Sequence, residues 1–135
     1  MKKILLLIAG IGILGISSCK KEVIENYYTV PNKTIYADRV TSDWTAYDGG
    51  KTYTATIPLF DSDNYYNEYD GILVFASYDN GSTYEQIPTT YQGISYSYAV
   101  TNSQVIIDIQ TPNFDVAVTP PGSVKFKVVL IPSEE

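Results

Sequence analysis

The chain has 135 residues, room for one domain beside a leader, and carries nine basic against fifteen acidic side chains, a formal charge of −6. It holds no histidine and one cysteine, which removes histidine-dependent acid–base catalysis, serine–histidine and cysteine–histidine nucleophiles, the usual zinc ligands and any internal disulfide. An acidic chain is also a poor partner for nucleic acid, because phosphate contact needs clustered lysine and arginine.

At the amino terminus Lys2 and Lys3 precede an unbroken apolar and glycine run from Ile4 to Ile16, followed by Ser17-Ser18-Cys19. That order of charge, apolar run and small residues is a secretory signal peptide, residues 1–18. The run has about 13 residues, short of the ~20 that a helix needs to cross a ~30 Å hydrocarbon core. Ile16-Ser17-Ser18-Cys19 resembles the lipobox of bacterial lipoproteins, and the resemblance implies cleavage before Cys19 and acylation of its thiol. Two or more acyl chains make a stable anchor where one is marginal. Loss of residues 1–18 removes Lys2 and Lys3 and leaves seven basic residues against fifteen acidic ones, a net of −8. Among lipoproteins, aspartate after the cysteine signals inner-membrane retention in some bacteria. Lys20 stands there instead, so the outer membrane of the cell envelope is the expected location. Lys20-Lys21-Glu22 with Glu25 matches an acidic surface-export signal only in part, and the choice between periplasmic and outward faces stays open.

Residues 19–33 mix charge, tyrosine and Pro31 with no sustained period, and read as a tether with a short strand over Tyr27 to Val30. Fully extended, Lys20 to Lys33 reach roughly 45 Å at ~3.3 Å per residue. Residues 34–135 are expected to form one domain in which period-two alternation dominates. The pattern predicts strands over Trp44–Tyr47 and Lys51–Leu59, joined by the turn Asp48-Gly49-Gly50, with Tyr53, Ala55, Ile57 and Leu59 on one face. Gly71–Tyr78, apolar on both faces, predicts a more buried strand that turns at Asn80-Gly81 and returns over Tyr84–Ile87 until Pro88 ends the pairing. Ile94–Val100 and Val105–Thr111 predict a second hairpin about Thr101-Asn102-Ser103. Val124, Phe126, Val128 and Leu130 predict a closing strand. Turns every 8 to 12 residues and about seven to nine strands point to an all-β antiparallel β-sandwich, immunoglobulin-like or jelly-roll-like. Trp44, the single tryptophan, reads as a core or edge residue.

Several blocks, namely Ser42-Asp43-Trp44, Tyr53 to Pro58, Asp70-Gly71-Ile72-Leu73-Val74-Phe75, Tyr84 to Thr90, Tyr96-Ser97-Tyr98 and Phe126 to Ile131, give residues 40–131 a resemblance to small uncharacterised lipoproteins of Gram-negative bacteria and to the C-terminal domains of collagen-like proteins. The resemblance implies a β-sandwich of unassigned activity. No glycine-x-y tract is present, so the collagen-like stalk of that wider group is missing.

Three chemistries remain for the polar residues. Asp61-Ser62-Asp63-Asn64 with Asn67, Glu68 and Asp70 gathers oxygen ligands of the kind calcium takes, but Tyr65 and Tyr66 fill the fifth and sixth positions, where an EF-hand places an oxygen ligand and a glycine. The specific motif therefore fails; a looser calcium site stands beside the plainer reading of a solvated loop, and no metal or other cofactor is assigned. Tyr65, Tyr66 and Tyr69 in the same loop are candidate ligand contacts, through stacking on sugar faces or anchoring of a protein partner. A hydrolase needs only two carboxylates roughly 5 to 10 Å apart, and this is the remote enzymatic alternative. The leading expectation is a non-catalytic envelope lipoprotein that presents its β-domain for binding or assembly, with a glycan-binding module using Tyr65 to Tyr69 as the alternative.

Overall fold

The computed structural model describes residues 29–59, 70–101 and 104–133. Among the described residues nine strands form two antiparallel sheets, the expected sandwich. The first sheet has the order β1 (Lys33–Val40), β9 (Ser123–Ile131), β4 (Gly71–Ser77), β5 (Glu85–Gln86). The second has the order β2 (Thr45–Tyr47), β3 (Thr52–Pro58), β8 (Gln104–Gln110), β7 (Ile94–Val100), β6 (Thr89–Tyr91). Helical geometry among the described residues is confined to two short 3-10 turns, Thr41–Asp43 and Asp48–Gly50.

Alternation decides which side chains enter the core. Ala55, Ile57 and Leu59 of the β3 segment, Val105, Ile107 and Ile109 of β8, and Val124, Phe126, Val128 and Leu130 of β9 are all buried, as their period-two spacing requires. Trp44 swings in from the end of the first 3-10 turn and meets Phe126 edge-on, ring centres 6.4 Å apart, so the core reading of Trp44 holds. The apolar run of β4 divides instead of burying both faces. Val74 and Ala76 point into the core, while Leu73 and Phe75 are half-buried on the outer face. There the Lys127 ammonium lies 4.5 Å from the Phe75 ring centre and 4.7 Å from that of Tyr84. A lysine stem laid along aromatic rings covers apolar surface while its charge stays near water.

Two strands were not read from the sequence. β1 begins at Lys33, a residue assigned to the tether, and Ile35, Ala37 and Arg39 face inward while Thr34, Tyr36 and Asp38 are exposed. Of the short strand expected over Tyr27 to Val30, Tyr27 and Tyr28 lie outside the described residues, and Thr29 and Val30 have no regular structure. The unpaired side of an edge strand invites association, and here Arg39 closes part of it. Its guanidinium donates through Nε and Nη2 to the Thr56 carbonyl of the opposite sheet, and Nη1 donates to the Asp38 carbonyl at 2.7 Å. The Val40 N–H donates to the Asp43 carboxylate at 2.8 Å. β6 is the second unread strand. After Ile87, whose N–H donates to the Val74 carbonyl at 3.0 Å, the chain leaves the first sheet through a cis Ile87-Pro88 bond and pairs with β7 in the second.

The pairing register assigns each loop to one end of the sandwich. Lys33 opposes Leu130, Gly71 opposes Ile131, Pro58 opposes Gln104 and Val100 opposes Val105, which gathers the start of β1 with Leu59 and Asp70. Val40 opposes Ser123, Ser77 opposes Lys125, and Thr52 and Ser95 both oppose Gln110, which gathers the turns after β4 and β6 with the 111–122 connection at the other end. The Val118 N–H ties that connection to the Gly50 carbonyl at 2.9 Å.

Candidate functional site

At the end of the sandwich away from Lys33, three tyrosines from both sheets converge. Tyr78 follows β4, Tyr91 ends β6 and Tyr96 lies in β7. The rings of Tyr78 and Tyr91 are parallel, 3.8 Å between centres and 2° between planes, and Tyr96 meets Tyr78 edge-on at 5.2 Å. Stacked and edge-to-face pairs both suit the ring quadrupole, so the trio closes the sandwich between β4 and the β6–β7 hairpin.

The turns beside these rings are shaped by their polar residues. Asn80 and Gly81 both adopt positive φ, 59° and 89°, but the connection is longer than a two-residue hairpin, and β4 pairs in register with β5 at Phe75–Gln86 and Ala76–Glu85. Asp79 organises the excess. Its Oδ1 accepts from the Ser77 hydroxyl and from the Thr83 N–H, each at 2.8 Å, and its own carbonyl accepts from the Ser82 N–H at 3.4 Å. Ser77, the one buried polar residue among those described, also accepts from the Gly81 N–H at 2.8 Å. The bond from the Thr83 N–H, followed by that from Ser77, pulls the Asp79 carboxyl down to about 2. On the other side, Gln92 and Gly93 turn the chain at φ 48° and 77°, and the Gln92 amide donates to the Tyr91 hydroxyl at 3.3 Å.

Two clefts flank the stacked pair. A cleft of about 150 Å³ lies among Tyr78, Asp79, Thr83, Glu85 and Tyr91. A larger one, about 330 Å³, is bounded by Tyr78, Tyr91, Gln92, Ile94, Tyr96 and the start of β9 at Ser123. Burial, followed by the nearby Tyr96, Glu85 and Tyr91, pushes the Tyr78 phenol well above its ordinary range, and burial followed by Tyr91 pushes Tyr96 up to about 12. Both remain neutral hydroxyls near neutral pH. The Tyr78 hydroxyl is buried without a hydrogen-bond partner, a property shared among the described residues only by the Trp44 indole N–H. An orphaned donor of this kind costs stability unless water or a ligand meets it.

Tyr65, Tyr66 and Tyr69, with the ligand set from Asp61 to Glu68, lie outside the described residues, as does Cys19. The described flanks of that loop, Leu59 and Asp70, sit at the end where β1 starts, opposite the tyrosine trio. Asp70 accepts from the Ser133 N–H at 3.2 Å. Among the described residues no three histidine, cysteine, aspartate or glutamate side chains gather as a metal site, and no helix is long and apolar enough to cross a membrane. Tyr78, Tyr91 and Tyr96 are not legible as a group in the sequence because one follows β4 of the first sheet and the others lie in β6 and β7 of the second. The available signal was a tyrosine at a strand end beside each of two turns, Asn80-Gly81 and Gln92-Gly93.

Asp79 supplies a sharp pH test. Its folded-state pKa lies below its ordinary value, so its stabilising effect is present above about pH 4 and disappears as pH falls toward 2. Wild type is expected to melt above Asp79→Asn at pH 7, with the gap closing between pH 4 and 2; a gap independent of pH would remove this role.

Comparison of the chain with protein-family models, with curated proteins and with solved structures found no match.

Proposed function

We propose that the protein is a non-catalytic, lipid-anchored envelope protein that displays one end of its β-sandwich for binding, with acyl chains at Cys19 holding it to the outer membrane. The observation that carries this reading is polar placement. The tether joins the domain at Lys33, and the tyrosine-lined clefts sit at the far end of strands up to nine residues long, roughly 30 Å away at ~3.3 Å per residue. A ligand from solution meets that end without passing the bilayer, and rigid strands hold the turns that would touch it.

The chemistry of the site supports binding over catalysis. Asp79, a carboxylate beside the smaller cleft, is held ionised, whereas a carboxylic general acid needs a raised pKa. The likeness of Ile16-Ser17-Ser18-Cys19 to a lipobox supports the anchor.

Metabolic labelling with an alkyne analogue of palmitate, followed by membrane fractionation, tests the proposal. Wild type should carry label and sediment with outer membranes, and Cys19→Ala should lose both properties while its purified domain keeps a β-rich circular dichroism spectrum. Unlabelled wild-type protein in the soluble fraction would overturn the anchor and the display role with it.

A further inference from the structure

We infer that the larger cleft, between the Tyr78–Tyr91 stack, Tyr96 and the start of β9, is a binding site for one neutral saccharide ring. The inference deepens the display reading and rests on it, while assigning the contact to residues other than the loop tyrosines.

Four observations converge. The volume, about 330 Å³, sits at the lower end of the ~300–1,000 Å³ spanned by small-ligand clefts, which suits a single ring held at a chain end or side branch. Its walls pair aromatic surface of Tyr78 and Tyr91 with the neutral polar side chains of Gln92 and Ser123. A pyranose offers the matching surface, C–H groups on its faces and hydroxyls around its edge. The Tyr78 hydroxyl is sealed from solvent and lacks a partner in the protein; a small shift of the ring toward the cleft that Tyr78 lines would let a sugar hydroxyl supply the acceptor that it needs. Gln92 occupies positive φ, 48°, where glycine or asparagine is cheaper; the position keeps a long amide at the rim of the cleft despite that cost.

Charge selects within the sugars. No ionised side chain lines the larger cleft, so an anionic or cationic ligand finds no counter-charge there. Across the stacked pair, Asp79 and Glu85 line the smaller cleft, and the mature chain carries a net −8, so uronates and sulfated or phosphorylated sugars are repelled. Neutral rings remain.

Native electrophoresis of the mature lipoprotein tests the inference, run in an uncharged detergent without a sugar headgroup through gels containing dextran, galactomannan, xyloglucan or polygalacturonate. At least one of the three neutral polysaccharides should retard wild type, and polygalacturonate should not. Tyr78→Phe and Gln92→Gly should each weaken that retardation about tenfold, the loss expected when a ligand hydrogen bond goes unmade. Both variants should melt no lower than wild type, since one loses an orphaned hydroxyl and the other relieves a strained backbone; Tyr91→Ala should also lose retardation. Free migration of wild type in all three neutral gels, retardation indifferent to these substitutions, or stronger retardation by polygalacturonate would each overturn the site. An acylated protein that runs freely sinks the sugar and spares the anchor, and a retarded protein with a free Cys19 thiol does the reverse.

Discussion

Replacing Phe126 with alanine will lower the unfolding free energy by about 3–5 kcal/mol, the range for removing a buried aromatic ring from a packed core. Phe126 is fully buried in β9, the strand that lies between β1 and β4, and opposes Ala37 on one side and Ala76 on the other. Two small residues on either side leave the space that the ring fills, and Trp44 closes over its edge. Neither alanine can move in to close the void, because both belong to paired strands. For a domain of about 100 residues with ~5–15 kcal/mol of total stability, the loss is a large share of the whole. Urea unfolding should show a much lower midpoint with little change in slope; a loss under about 1 kcal/mol would mean that the core is not built around this ring.

The second large effect lies at Tyr78, where two substitutions should move stability in opposite directions. Tyr78→Ala deletes the ring that Tyr91 stacks on and Tyr96 abuts, and should cost about 3 kcal/mol, the low end for an aromatic deletion, because Tyr78 is only partly buried. Tyr78→Phe keeps the ring and removes a buried hydroxyl that has no protein partner. It should raise stability by about 1 kcal/mol, since an unmet buried donor costs ~1–3 kcal/mol. A phenylalanine variant less stable than wild type would show that the hydroxyl is satisfied in the free protein, and the strongest mark of a ligand site would vanish. The expected trade is one in which a binding group is kept at some expense to the fold.

Period-two alternation made most of the sandwich legible in advance. In β3, β8 and β9 the inward residues are aliphatic or aromatic and most outward ones polar, Ile106, Val129 and Ile131 being apolar exceptions, so spacing separates the faces: Ile107 and Val128 are buried, and Thr54 turns outward to donate to Asp108 at 2.8 Å. The pattern misleads in β4, where four consecutive apolar residues suggest burial on both sides, because a lysine stem from β9 covers the outer face. It is faint in β1, where the charges of Asp38 and Arg39 interrupt the apolar alternation although Ile35 and Ala37 keep the inward register. Charges on an edge strand are what keep it from pairing with other chains, and they also blur its sequence signal.

The candidate site was far less legible, for a geometric reason. A motif can be read from sequence when its residues share one local element. Tyr78, at the exit of β4, and Tyr91 and Tyr96, in β6 and β7, come from separate elements and meet because β4 belongs to one sheet and the β6–β7 hairpin to the other. Crossing between sheets at Ile87-Pro88 brings Tyr91 onto Tyr78, and no spacing rule anticipates that crossing. Tyr65, Tyr66 and Tyr69, by contrast, crowd one short stretch of sequence and are conspicuous for that reason alone.

Intact-mass analysis of the protein extracted from native membranes tests the central claim most directly. The account predicts one mature species that starts at Cys19 and exceeds its polypeptide mass by a diacylglycerol and a further acyl group. A mass equal to the unmodified chain, with residues 1–18 retained and the thiol free, would contradict it.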